Sequence, residues 1–188
     1  KIMKKLFSIA LISFVTLIAS LSFAQAADTL EDRLAKELVR LGFEDGKLPP
    51  LSKAFGPYQG YIVVDKDIYL TSTAAQRPDG TWMVGLVTDE TDLDELLYAV
   101  DLCVISAINR LKYAADGDLN RIGKIIHVNT MSPAPADYPH LELLADRSSE
   151  MLIRIFGEEI GIHARSIMAI TSLPINMHHE IEVRATMK

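Results

Sequence analysis

The stretch that decides the fold runs from His163 to Met187. It reads His163-Ala164-Arg165-Ser166-Ile167-Met168-Ala169-Ile170-Thr171-Ser172-Leu173-Pro174, then Ile175-Asn176-Met177-His178-His179, then Glu180-Ile181-Glu182-Val183-Arg184-Ala185-Thr186-Met187. Two alternating polar and apolar runs flank a Leu-Pro break, which is the pattern of two strands joined by a connection. The second run places Glu180, Glu182 and Arg184 on one face and Ile181, Val183, Ala185 and Met187 on the other. The first carries a lone arginine, Arg165, among small and apolar residues. Such a cation must meet an anion, from the protein or from a ligand. Read as a hairpin, the two strands set Arg165 beside Glu180. Two readings follow: a structural cross-strand ion pair, or a carboxylate-binding arginine with a nearby acid that orients a water.

Working outward, the chain order is helix, three strands, helix, strand, helix, two strands. Residues 28–43 carry Leu30, Leu34, Leu38 and Leu41 at helical spacing behind an Asp28-Thr29 cap. Residues 47–57 are a Pro- and Gly-rich linker. Strands are expected over 58–64 and 68–73, forming a hairpin across Asp65-Lys66-Asp67, and over 82–87. The strongest helix spans 91–115, capped by Thr91, with Leu96, Val100, Cys103, Ala107 and Leu111 on its apolar face. A strand at 122–131 and a helix at 138–156, ended by Gly157, complete the list. This is an α+β pattern, a mostly antiparallel sheet with helices on one face.

Residues 1–26 have another logic. Lys4-Lys5, an apolar run from Leu6 to Phe23 and Ala24-Gln25-Ala26 make a basic, apolar and small-x-small sequence, expected to be a cleavable secretory signal. The expected organisation is signal over 1–26, N-terminal helix and linker over 27–57, and one domain over 58–188. The location that follows is the periplasm. Without the three lysines of 1–26, 16 basic residues face 25 acidic ones, a net charge near −9. That excludes a nucleic-acid or anionic-membrane partner built on a broad basic surface. The single cysteine, Cys103, excludes an internal disulfide and reads as a small buried hydrophobe.

Gly-rich phosphate loops, His-Glu-x-x-His and Cys-x-x-Cys are absent from the sequence. His178 and His179 are adjacent on an extended run, so they point to opposite faces and cannot chelate one metal together. No metal and no organic cofactor are expected.

The segment Phe156-Gly-Glu-x-x-Gly-x-His-Ala-Arg165-Ser-x-x-x-x-x-Ser-Leu-Pro174-x-Asn-x-x-x-Glu180-Ile-Glu182 resembles the C-terminal signature of the YjgF-like family, also called Rid, for reactive intermediate deaminase. Gly56-Pro57-Tyr58, Ile68-Tyr69-Leu70-Thr71-Ser72 and the long helix agree in order. The resemblance implies a chorismate-mutase-like homotrimer with sites in intersubunit clefts. It also implies hydrolysis of 2-imino or enamine acids to 2-keto acids and ammonia, without a cofactor. By position, Arg165 would bind the substrate carboxylate and Glu180 would place the attacking water. Tyr58 and Ser72 would line the cleft, and the backbone at Ile167 would meet the polar end of the substrate. The chain departs from the family pattern at Ser72-Thr73-Ala74, where Ser-Gly-Gln is usual, and at Arg147, where Asn is usual. Those departures leave a second expectation standing: a non-catalytic carboxylate-binding or interaction protein on the same scaffold.

Overall fold

The computed structural model describes residues 28–188; the expected signal segment lies outside them. Helix α1 (Leu30–Arg40) begins at Thr29, whose hydroxyl accepts from the Asp32 amide while the Asp32 carboxylate accepts from the Thr29 amide, a reciprocal capping box. Its Leu30, Leu34 and Leu38 stripe is buried. Strands β1 (Tyr61–Val64) and β2 (Asp67–Leu70) form the expected hairpin, with Asp65 at φ 55 in its turn. Strand β3 (Thr73–Ala74) is two residues long. Helix α2 (Leu93–Ala114) is the central helix; Asp92 caps it, not Thr91, through a bond from the Asp94 amide. Strand β4 (Ile122–Ser132), helix α3 (Leu141–Phe156), the single turn α4 (Glu158–Gly161), and strands β5 (Ala164–Ala169) and β6 (Glu180–Met187) follow. Gly157, at φ 80, ends α3 in a backbone conformation that favours glycine.

The sheet order is β1-β2-β6-β4-β5, with β3 also paired to β6. All pairs are antiparallel except β4 with β5. The opening expectation of a β5–β6 hairpin is therefore wrong. β4 lies between the two strands, with Val128 opposite Arg165 on one side and Met131 opposite Glu180 on the other. The physical reason is length. The connection at residues 170–179 is ten residues long, enough to cross β4 rather than turn tightly, and β4 satisfies both strands' hydrogen bonds. Residues 82–87 do not form the expected strand either. Their backbone bonds go to separate partners: Met83 to Ala75, Gly85 to Asn176, Val87 to Pro133. Single bridges at Trp82 and Val84 are all that remain of a ladder.

The core fills one side of the sheet. Ile181, Val183 and Ala185 of β6 pack with Ala99, Cys103 and Ala107 of α2 and with the leucines of α1. The other face carries Glu180, Glu182 and Arg184, and also exposed Ile62, Val64, Tyr69, Ile126 and Met168. Large apolar residues gathered on an otherwise polar sheet face are the pattern of a surface that another molecule covers.

Helix α1 is held by charge as well as by leucines. Asp101 of α2 is fully buried and takes Arg147 Nε and Nη2 at 2.8 and 2.6 Å and Arg40 Nη2 at 2.8 Å. Glu37 then bridges Arg40 and Arg154 at 2.8 and 2.9 Å. So Arg147 is not a loose cation at the cleft; it belongs to the bridge that ties α1, α2 and α3 together.

His179 is also fully buried, and neither ring nitrogen has a partner among the described residues. Burial, with a smaller push from His178, lowers its pKa to about 3. In the unfolded chain the ring protonates near pH 6.5. The unfolded state therefore binds the extra proton between pH 6.5 and about 3. Stability from this group is full above pH 6.5 and falls on acidification by about 1.4 kcal/mol per pH unit. Urea unfolding from pH 7 to 4.5 should show that slope in the wild type and a shallower one in His179→Leu. Equal slopes would refute the assignment.

Candidate functional site

Each sequence-chosen residue has a defined place. Arg165 lies on β5, the edge strand, and turns to the helix side. Its Nη2 meets the Asp146 carboxylate at 2.7 Å and its Nη1 donates to Ser149 Oγ at 3.3 Å. Ser149 continues to His163 Nε2 at 3.1 Å, and His163 Nδ1 lies 2.6 Å from the Gly161 carbonyl. A carbonyl only accepts, so Nδ1 carries the proton and Nε2 accepts from the serine. Burial lowers the pKa of His163, against the pull of that carbonyl, which keeps the ring neutral in this role. The chain Arg165 to Ser149 to His163 to Gly161 fixes the guanidinium from behind. Asp146 and Arg165 are both substantially exposed, with 48% and 38% of their side-chain surface open. This ion pair is one that a ligand carboxylate can compete with.

Glu180 begins β6, half-buried and without an ion pair among the described residues. Burial raises its pKa, and Arg110 acts in the opposite direction. An acid displaced toward neutrality suits a general base better than a fully solvated one. Tyr58 is exposed in the loop before β1, its ring against Gly56. Ser72 sits between β2 and β3, and its carbonyl accepts from Arg110 Nη1. Tyr58, Ser72 and Glu180 thus share the surroundings of Arg110, and Arg165 does not, being two strands away across β4. Ile167 packs its side chain toward Val87, Leu96 and Leu144. Its backbone runs along the free edge of the sheet. The structure therefore brings together three of the five residues and leaves Arg165 and Ile167 on the opposite edge.

The altered loop has a plain account. Thr73 is buried, and its hydroxyl lies 3.0 Å from the Cys103 carbonyl and 3.3 Å from the Ile181 carbonyl. It fastens β3 under α2. Cys103 is buried, and burial pushes its thiol well above the ordinary cysteine value, which makes it an inert core residue.

Sequence reasoning missed Arg110. It sits in the last turns of α2, where a cation suits the helix dipole, and nothing in that setting marks it as a site residue. A small cavity of about 20 Å³ runs beside its stem, lined also by Ala74, Ser106, Ser52, Gln76 and Trp82. Phe55 meets the Trp82 ring edge-on at 5.6 Å. Larger concavities of about 450 and 570 Å³ lie beside α1 and the 42–50 loop and touch none of the five chosen residues. Among the described residues, no group of three or more His, Cys, Asp and Glu could hold a metal.

Comparison with known proteins agrees with this architecture. No family model matches the chain. Protein TCP17 of Trypanosoma cruzi is 25% identical over 150 residues, 80% of this chain and 91% of that protein. A solved structure from Shewanella oneidensis MR-1, described as a candidate endoribonuclease, is 26% identical. It superposes with a TM-score of 0.73, covering 85% of this chain and 100% of that one. YjgF of E. coli superposes at 0.50 with 17% identity, over 72% of this chain and 91% of its own. The mixed sheet, its order and the helices on one face are those of the chorismate-mutase-like scaffold, and in its fold the chain is similar to YjgF.

Proposed function

We propose that the chain is a Rid-type hydrolase of small 2-imino or enamine acids, working without a cofactor in clefts between copies of a homotrimer. The observation that carries this reading is the separation of Arg165 from Glu180. β4 lies between their strands, Arg165 on the edge strand β5 and Glu180 at the first, half-buried residue of the interior strand β6. One copy cannot bring them to one ligand; Arg165 of one copy and Glu180 of the next can. The apolar side chains exposed on the open sheet face supply the surface that such an assembly would bury.

The chemistry asks little of the protein. The imine carbon is already electrophilic. Arg165 holds the carboxylate and exchanges its exposed Asp146 partner for the ligand. Glu180 accepts a proton from a water as that water adds to the carbon of the C=N bond. Glu180 returns that proton to the nitrogen, and as the carbinolamine's hydroxyl proton passes to the departing amine the C–N bond breaks, releasing ammonia and the 2-keto acid. Orientation and one placed base account for catalysis of this kind. With the signal expected over residues 1–26, the reaction would be a periplasmic one.

The test is turnover of 2-iminobutyrate generated in situ, followed as loss of imine and release of ammonia. Acceleration over buffer, abolished in Arg165→Ala, is the expected outcome. A wild-type rate equal to buffer sinks the catalytic reading. Sedimentation should give three times the mass of the chain, and Met168→Lys on the open face should shift it toward the monomer. A wild-type monomer at micromolar concentration would remove the intersubunit site.

A second reading, carboxylate binding without turnover, draws on Thr73, which stands where the family has a flexible glycine and is pinned to Cys103 and Ile181. Calorimetry showing 2-keto acids bound by a protein that turns over no imine would favour it.

A further inference from the structure

Arg110 is a half-buried cation with two of its five N–H donors assigned. Its Nη1 donates to the carbonyls of Thr71 at 2.8 Å and Ser72 at 3.1 Å. Its Nε and Nη2 have no protein partner among the described residues, where Arg110 forms no ion pair with a carboxylate. Most arginines around the core meet an anion: Arg40 and Arg147 share Asp101, Arg154 takes Glu37 and Arg165 takes Asp146; Arg33, like Arg110, meets backbone carbonyls, but it has no acid of the cleft near it. The two unassigned groups form the Nε/Nη2 edge of the guanidinium, the edge that grips a carboxylate with two parallel hydrogen bonds. Anchoring Nη1 to two fixed carbonyls orients that edge in advance. Gly60 lies flat against the Nε side; a Cβ there would sit 3.5 Å from Nε.

The surroundings belong to the ligand cleft. Glu180 and Tyr58 are within electrostatic reach of Arg110, and Glu180 does not close on it as an ion pair. Two opposite charges that stay apart in a partly desolvated site leave room for a third group between them. Burial disfavours the charged form of Arg110, so an incoming anion gains more there than at an exposed cation.

We propose that Arg110 is a second anion-binding position of this cleft, and that the ligand is accordingly a small dicarboxylate, a four- or five-carbon 2-oxo or 2-imino diacid. Arg165 takes the carboxylate next to the reacting carbon, and Arg110 takes the distal one. This rests on the reading that Tyr58, Ser72 and Glu180 line the ligand cleft. It goes beyond that reading by naming the substrate class and a specificity-determining residue.

The experiment is calorimetric binding of oxaloacetate, 2-oxoglutarate and 2-oxobutyrate to the wild type and to Arg110→Met, Arg110→Lys and Arg165→Ala. The expected result is that at least one diacid binds about tenfold or more tighter than 2-oxobutyrate, since a charge-assisted contact commonly amounts to that factor. Arg110→Met should erase the preference by weakening the diacids far more than 2-oxobutyrate, and Arg110→Lys should restore part of it. A merely structural Arg110 would weaken all three acids alike. Should Arg110→Met fail to fold, Glu180→Gln carries the same question: removing the nearby negative charge should tighten diacids more than 2-oxobutyrate. Equal affinity for all three acids in the wild type overturns the inference and leaves the cleft reading intact. No binding of any acid overturns both.

Discussion

Alanine at position 101 should lower the stability of the chain by about 3–5 kcal/mol, as expected when one partner of a buried ion pair is removed. Asp101 is fully buried between Arg40 and Arg147, and its loss leaves two guanidiniums facing each other at the junction of α1, α2 and α3. Arg40 is 42% exposed and Arg147 29%, so water relieves part of the repulsion. That places the effect nearer the lower figure. For a domain of this size the midpoint of thermal unfolding should fall by about 6–12 °C. Differential scanning calorimetry checks it, and a loss under 2 °C would mean the triad contributes nothing. Combining Asp101→Ala with Arg147→Met should recover part of the loss, because the second change removes a stranded charge rather than a contact.

The largest effect on activity is expected at Glu180. Glu180→Gln keeps the shape of the side chain and removes its basicity, so imine turnover should fall about 10²–10⁴-fold. Binding of 2-keto acids should persist. The wild-type pH–rate profile should show an acidic limb set by a carboxyl whose pKa burial raises above the usual glutamate value, and the limb should vanish in the variant. Activity within a factor of two of wild type in Glu180→Gln would remove this residue as the base.

Local pattern carried most of the fold. Leu30, Leu34 and Leu38 on α1, the broad apolar face of α2 and the alternation of β6 each announce an element, because burial imposes its period on the sequence. Pairing is different. Nothing in the residues of β5 says that it lies parallel to β4 rather than antiparallel to β6, because that choice is made by the path of a ten-residue connection. The 82–87 segment looks strand-like for the same reason: its side chains fit a sheet, and its backbone bonds go to three different partners.

The site was legible where a chemical oddity marked it. Arg165 in an apolar strand and Glu180 opening a run of alternating charge stand out in the sequence. Asp146, Ser149 and His163, which hold Arg165, come from two elements and look like ordinary polar residues until folded. Arg110 and Arg147 look alike in sequence, each a cation on a helix. Only packing separates them: one finds a buried aspartate, the other finds backbone carbonyls and an unfilled edge.

The chain has a single tryptophan, Trp82, and it lies on the wall that also carries the stem of Arg110. Its fluorescence is therefore a one-site optical signal from the wall of that small cavity, with Phe55 edge-on beside it. Quenching, spectral shift and anisotropy of that emission report on any change around the Arg110 stem in the native protein, without a label and without a coupled assay.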